Sequence, residues 1–299
     1  MLERGGINNN SNGELKEINS VQFGLMSPEN IVNMSVIEVD NPRSFDDNGK
    51  PSKGGINDQR MGPFDIKSRC ETCNCNYEEC PGHFGYISLV KPVFHVYFIK
   101  ECLLLLKCIC KNCSKILIND EDYKRISKIR NAKQRKKEIY NSIKSNKPCE
   151  NCEHEQNKYK KVGLKIYEII INRNRIELKP ETIYTIFKRI SDKDCLLFGF
   201  NPKYARPEWM IIQKLIVCPP AARPSVSVDS SLRAQDDLTN QYNEILKINR
   251  YLDEQIKRNA TEAIISDIFD RLQIAVATLI DNNLSIGKAF KKNGEPIKC

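Results

Sequence analysis

Histidine is nearly absent: His83, His95 and His154 are the only three in 299 residues. That leaves little room for His-based acid–base or nucleophilic catalysis. Long apolar runs are missing as well. A membrane span needs roughly 18 or more residues with few or no charges, and the best stretch, 99–110, is broken by Lys100, Glu101 and Lys107. The opening residues, MLERGGINNN, hold no apolar signal core, so neither secretion nor a membrane is expected. Gly54-Gly55 and the Gly82/Gly85 pair match neither G-x-x-x-x-G-K-[ST] nor G-x-G-x-x-G, which excludes the common phosphate loops. His-Glu-x-x-His is absent, because His154-Glu155 has no histidine at 158. The deaminase signature is half matched at 148–152, but no His-x-Glu occurs. Nor is there an Asp-x-Asp-x-Asp run, the kind of carboxylate cluster that two-metal nucleotidyl transfer requires; Asp192-Lys193-Asp194 comes nearest.

What is present has the balance of a globular protein, 40% hydrophobic and 28% charged, with a formal charge of +9 that favours a polyanionic partner. Thirteen cysteines are the outlier, eight of them within 64–113. Without a sign of export, paired Cys-x-x-Cys spacings point to metal rather than to disulfides. Cys70-x2-Cys73-x6-Cys80-x2-His83 supplies two hooks whose three thiolates and one imidazole close a tetrahedron around zinc. Gly82 and Gly85 suit its tight backbone, and Cys75 is left as a spare thiol. Cys110-x2-Cys113 and Cys149-x2-Cys152 stand 35 residues apart and form a second, all-cysteine set. Replacement of one of these thiols by His154, or an iron–sulfur cluster, are the alternatives. Four ligands leave no position for water, so both sites are expected to be structural, with two zinc ions per chain. Cys102, Cys108, Cys195, Cys218 and Cys299 are expected to pack as small apolar residues or to stay free. His95, in an aromatic strand, is expected to fill a hydrogen-bonded core position.

Along the chain, 1–20 is polar and expected to be flexible. Ser27-Pro28-Glu29 marks a helix start. Residues 40–63 read as loop, 87–98 as strand and 99–108 as a buried helix. The stretch 121–147 carries ten Lys/Arg against three Asp/Glu, a basic insert expected to be a solvated loop or helix. A β-rich patch, LKIYEIIINRNRIEL, precedes the amphipathic helix ETIYTIFKRI, and a strand is expected over 210–217. In the tail, Leu238, Tyr242, Ile245, Asn249, Leu252 and Ile256 step by four and three, as do Ile265, Ile268, Leu272, Ala275 and Leu279. These seams predict an antiparallel helical hairpin with its connection near 257–261, in which Asn249 costs stability but fixes register. The outer faces, with Glu244, Lys247, Arg250, Lys257 and Arg258 on one helix and Glu262, Asp267, Asp270 and Arg271 on the other, are expected to be free for a partner. The fold class is α+β, an irregular multi-element body with two structural zinc sites and a C-terminal helical hairpin.

VQFGLMSPENIVNMSV, ECPGHFGYISLVKPVFHVYF, FKRISDKDC, YARPEWMI and QDDLT occur in this order. They closely resemble the largest subunit of eukaryotic RNA polymerase II, over nearly the whole chain from about residue 18. The resemblance implies a clamp, the mobile wall over the DNA cleft, with its zinc ligands at Cys70, Cys73, Cys80 and His83 and at Cys110, Cys113, Cys149 and Cys152. It implies a clamp core over 21–224 with a basic insert at 121–148, a lid-like loop at 225–237, a clamp coiled coil at 238–280 and a rudder-like segment at 281–299. Arg233, Lys288, Lys291 and Lys292 are the implied phosphate contacts, and Lys257 and Arg258 mark the tip that docks a protein. The implied partners are other polymerase subunits, DNA, the RNA–DNA hybrid, and initiation and elongation factors, in the nucleus. The family's Asn-Ala-Asp-Phe-Asp-Gly-Asp motif, which holds catalytic magnesium, is missing. The chain is therefore expected to be the N-terminal piece of a split or truncated nucleotidyltransferase subunit, inactive alone. The 35-residue gap between the second pair of hooks is shorter and more basic than the family pattern. A free-standing zinc-dependent DNA-binding regulator, using the basic insert, is the alternative reading, and a zinc hydrolase is a third.

Overall fold

The computed structural model describes residues 19–143, 148–170, 175–227, 233–283, 291–292 and 295–296. The architecture is α+β. Helix α1 (Pro28–Met34) starts as expected: Ser27 caps it by accepting from the Asn30 N–H at 3.0 Å, and Pro28 fills the first turn. It leads straight into β1 (Ser35–Glu38), which pairs in parallel with β2 (Phe84–Phe94). β2 is the central strand of a three-stranded sheet. It begins directly after His83, three residues before the expected start at 87, and ends at Phe94 rather than 98, where the Phe98 N–H closes a turn on the His95 carbonyl. Its antiparallel register breaks between Ser88 and Val93, an irregularity that contains Pro92, which has no N–H to give a ladder.

Helix α2 (Ile99–Cys108) lies at the centre of the first hydrophobic core. The basic insert folds as α3 (Asp120–Ser127) and α4 (Ala132–Ser142), capped by Asn119 and Asn131. Ile126 and Ile139 are fully buried in that core. Arg135 donates to the Leu196 and Leu197 carbonyls, so the insert is a packed layer with a charged outer face. Three antiparallel strands follow, β3 (Lys158–Val162), β4 (Lys165–Ile169) and β5 (Arg175–Leu178), with β4 in the middle. Helices α5 (Pro180–Lys188) and α6 (Asp192–Phe198) bury Ile183, Phe187 and Phe198 in the same core. Strand β6 (Ile211–Val217) completes the first sheet beside β2. Two short pairs, β7 (Val226–Ser227) with β8 (Arg233–Ala234) and β9 (Lys291–Lys292) with β10 (Glu295–Pro296), flank the helical hairpin in sequence.

The hairpin is α7 (Asp237–Lys257) and α8 (Glu262–Ile280). Its seam residues Tyr242, Ile245, Leu252, Ile268, Leu272 and Ala275 are buried together with Ile37, Ile87, Val93 and Leu215 of the sheet. The second core therefore lies between sheet and hairpin, and two expectations change. Asn249 does not set helix register. Its amide pairs with β2, donating to the Ser88 carbonyl at 2.9 Å and accepting from the Val90 N–H at 2.9 Å. Gln273 of α8 does the same at Phe94, at 2.7 and 3.0 Å. β1 pairs with β2 only as far as Tyr86; further along, these side-chain amides serve as partners. Nor are all the outer charges free. Asp270 bonds Lys165 of β4 at 2.6 Å, and Glu262 pairs with Lys179, because α8 lies along the body instead of standing clear of it. Among the described residues, no helix is long and apolar enough to cross a membrane.

Candidate functional site

The structure brings the eight ligands expected from sequence into two groups, Cys70–Cys73–Cys80–His83 and Cys110–Cys113–Cys149–Cys152. The ligand atoms of each group lie within 4.8 Å of one another. The Cys73–Cys80, Cys110–Cys152 and Cys113–Cys149 sulfur pairs are 3.6, 3.5 and 3.6 Å apart. A disulfide requires about 2.05 Å. A tetrahedron of Zn–S bonds of about 2.3 Å has edges of about 3.8 Å, close to the spacing found.

Three of the four hooks share one backbone form. The N–H of Cys70 bonds the Cys75 carbonyl at 3.0 Å, while Asn74, at φ 58°, returns its N–H to the Cys70 carbonyl at 2.9 Å. Cys110 repeats this with Lys115 and Ser114 at φ 60°, and Cys149 with His154 and Glu153 at φ 55°. The left-handed residue folds the chain back so that two sulfurs point one way. The fourth hook differs: Gly82 at φ 78° turns the chain toward His83, whose N–H bonds the Met61 carbonyl at 2.8 Å. A Cβ on Gly82 would stand 2.8 Å from Pro219, so glycine is required twice over.

The donor set fits a soft cation. Buried His83 Nε2 has no hydrogen-bond partner, an orphan that a metal would satisfy. Thr72 N–H and Gln156 Nε2 approach the Cys70 and Cys110 sulfurs at 3.4 and 3.5 Å, as donors to thiolates do. Burial raises the Cys73 thiol, but the His83 imidazole, the Cys75 N–H, and the Cys80 and Cys70 thiols outweigh it and bring it to about 6. The His154 N–H, against burial and with help from Cys110, brings Cys152 to about 7. Burial pushes Cys80 and Cys149 up to about 12. Each group thus pairs a readily ionised thiol with one that needs a cation to release its proton.

The groups are held by residues that carry no sequence signature. Lys111, inside one hook, bonds Glu168 of β4 at 2.5 Å, and that carboxylate, only 2% exposed, also accepts from Asn157 at 2.9 Å. Lys115 reaches Asn151 at 2.5 Å and joins the two hooks of the second group. Arg223, 3% exposed, donates to the Asn57 side chain and the Ile56 and Cys218 carbonyls, and to Thr239 of α7. A lone Lys or Arg in a mixed stretch looks the same whether it points to water or into a core.

His154 is exposed and lies outside the second group; its carbonyl closes a hook. His95 Nδ1 accepts from the Tyr97 N–H at 3.3 Å, and its ring lies 4.8 Å from that of Phe98, tilted by 51°. Lys257 and Arg258 are exposed at the end of α7, Lys257 paired with Asp253 at 2.5 Å. The backbone places Arg233 in β8 and Lys291 and Lys292 in β9. Lys288 lies outside the described residues.

An α+β body with two closed Cys/His groups that could each hold a metal ion, and a helical hairpin on its sheet, has the build of a module that metal can staple. The family model RNA polymerase Rpb1, domain 1, matches residues 15–299, and the chain belongs to this family, the N-terminal region of the polymerase largest subunit. It is 38% identical over 321 residues to DNA-directed RNA polymerase II subunit RPB1 of Euplotoides octocarinatus, covering all of this chain and 66% of that protein. It is 37% identical over 297 residues to the DNA-directed RNA polymerase subunit Rpo1N of Methanothermobacter thermautotrophicus strain Delta H, covering 96% of this chain and 33% of that protein. The figures for strain Winter are 37%, 96% and 34%. The chain thus spans from about a third to just under two thirds of these relatives' length.

Proposed function

We propose that this chain is the clamp part of an RNA polymerase largest subunit, acting in the nucleus to hold DNA and the RNA–DNA hybrid and to dock transcription factors. The observation that carries the reading is the pair of closed ligand groups in a chain of this family. Zinc held by Cys70, Cys73, Cys80 and His83, and by Cys110, Cys113, Cys149 and Cys152, would supply rigidity and no chemistry, since no position remains for water. Segment 225–237 acts as a lid and 281–299 as a rudder, with Arg233, Lys288, Lys291 and Lys292 on phosphates. Segment 238–280 is the docking hairpin. Other polymerase subunits complete the cleft, and catalytic magnesium belongs to a downstream part of the largest subunit that carries the acidic motif, so the chain alone polymerises nothing.

The test is charge reversal at the hairpin tip, Lys257→Glu with Arg258→Glu. It is expected to weaken binding of initiation or elongation factors most clearly at low salt, because exposed charges act mainly on association and are screened. Metal content is expected to stay at two zinc ions. Unchanged factor binding at low salt refutes the docking role, and template-dependent synthesis by the pure chain refutes the division of labour.

A further inference from the structure

The basic insert carries a surface that neither metal group uses. Helix α4 places Lys133, Lys137 and Tyr140 at i, i+4 and i+7, one face of the helix; Ile139 anchors a different face in the core. Tyr140 is 46% exposed and lines a cleft of about 550 Å³ between α2, α3, α4 and β3. Lys107 stands on the cleft wall, its Nζ 5.9 Å from the Tyr140 ring centroid. Lys158 and Lys160, two apart on β3, point to the same side and line the cleft too.

Lys111, Lys136, Lys165 and Lys179 each have a carboxylate partner. Lys107, Lys133, Lys137, Lys158 and Lys160 have no ion-pair partner among the described residues. Of the two acids on the wall, Asp122 is held by Arg125 at 2.7 Å; Glu150 is the other. Lys107, Lys158 and Lys160 line the cleft beside Tyr140, with Lys133 and Lys137 along the same helix face as that ring, so cations outnumber the acids there and favour a polyanion. Lysines tracking a backbone, with an aromatic face for a base, are the elements of single-strand recognition. A duplex keeps its bases stacked and offers none to Tyr140.

We infer that the α4–β3 cleft binds single-stranded RNA, with phosphates on Lys107, Lys137, Lys158 and Lys160 and one base stacked on Tyr140. The choice of RNA rests on the proposed role in transcription; the cleft is separate from the hairpin tip, so the two are tested by different variants.

The experiment is fluorescence anisotropy of the full zinc-loaded chain with a short labelled oligouridylate, from low to physiological salt. Lys158→Glu with Lys160→Glu is expected to weaken binding about tenfold or more and to flatten the salt dependence, each phosphate contact accounting for about 0.7 of the logarithmic slope. Tyr140→Ala is expected to weaken it about 5- to 100-fold, the size of a base stack, while Tyr140→Phe retains it. A 4-thiouridine oligomer is expected to photocrosslink the parent chain at the peptide holding Tyr140, a readout independent of any variant's folding. The inference is overturned by absence of binding, by crosslinks confined to other peptides, by unchanged binding in Tyr140→Ala or the lysine pair, or by single-stranded or duplex DNA of equal length competing as well as RNA.

Discussion

Glu153 holds a left-handed backbone at φ 55° with its side chain exposed. That conformation costs a residue with a Cβ of order 1 kcal/mol, which glycine avoids. Glu153→Gly is expected to raise stability by about 0.5–1 kcal/mol, read as a shifted urea midpoint. The equivalent change at Ser114 is expected to fail, because Ser114 Oγ donates to the buried Ile186 carbonyl at 2.8 Å. Asp58 accepts from the Gly54 N–H at 2.7 Å and from the Arg60 N–H and guanidinium. Burial opposes its ionisation, but these bonds outweigh burial and hold the carboxyl below its usual range. A depressed acid contributes stability above the unfolded pKa, about 3.9, and loses it as pH falls through the folded value. Asp58→Asn is therefore expected to lower the melting temperature at neutral pH and to converge on the parent in strong acid; a constant gap across that range excludes the linkage. Cys70→Ser is expected to release metal and Cys75→Ser to keep it, by metal analysis of the reduced protein.

At the scale of elements, what could be read from the sequence divides by the kind of signal. Helix α1, α2 and the hairpin were legible because caps and apolar periods are local, as were the two Cys-x-x-ligand sets, whose spacing is short and rigid. The reach of Asn249 and Gln273 to β2 was not legible: a side-chain amide paired with remote backbone leaves no period. The insert misled in another way, since two isoleucines among ten cations are enough to bury two short helices when Ile126 and Ile139 meet a ready core. Gln273 offers the sharpest test of the hairpin's attachment. Gln273→Leu leaves the buried Phe94 N–H and carbonyl without that partner and is expected to cost about 2–4 kcal/mol. Denaturant titration measures this, and a loss below half a kcal/mol would mean the amide merely fills space.

For the whole molecule, the second metal group joins the two ends of the insert and reaches β4 through Lys111 and Glu168. The first group sits where the 40–62 loop meets the start of β2. Metal binding at such sites contributes directly to folding. A strong chelator in reducing buffer is therefore expected to lower the melting temperature sharply, and zinc to restore it. Two zinc ions per chain are expected from emission spectrometry; one or none would remove a group. The left-handed hook residues and the Lys111–Glu168 tie escaped sequence reasoning because Ser and Glu give no sign of positive φ and Asn only a weak one, and because β4 is joined to the hook only in space.

The amide pins on β2 have a consequence for hydrogen exchange. The Val90 and Phe94 N–H groups donate to Asn249 and Gln273, side chains of separate helices. Their exchange with solvent deuterium therefore reports docking of the hairpin instead of opening of the sheet. If the hairpin lifts while the sheet stays folded, these two amides become labelled early, while the ladder between Gly85 and Ser88 and β6 stays dark.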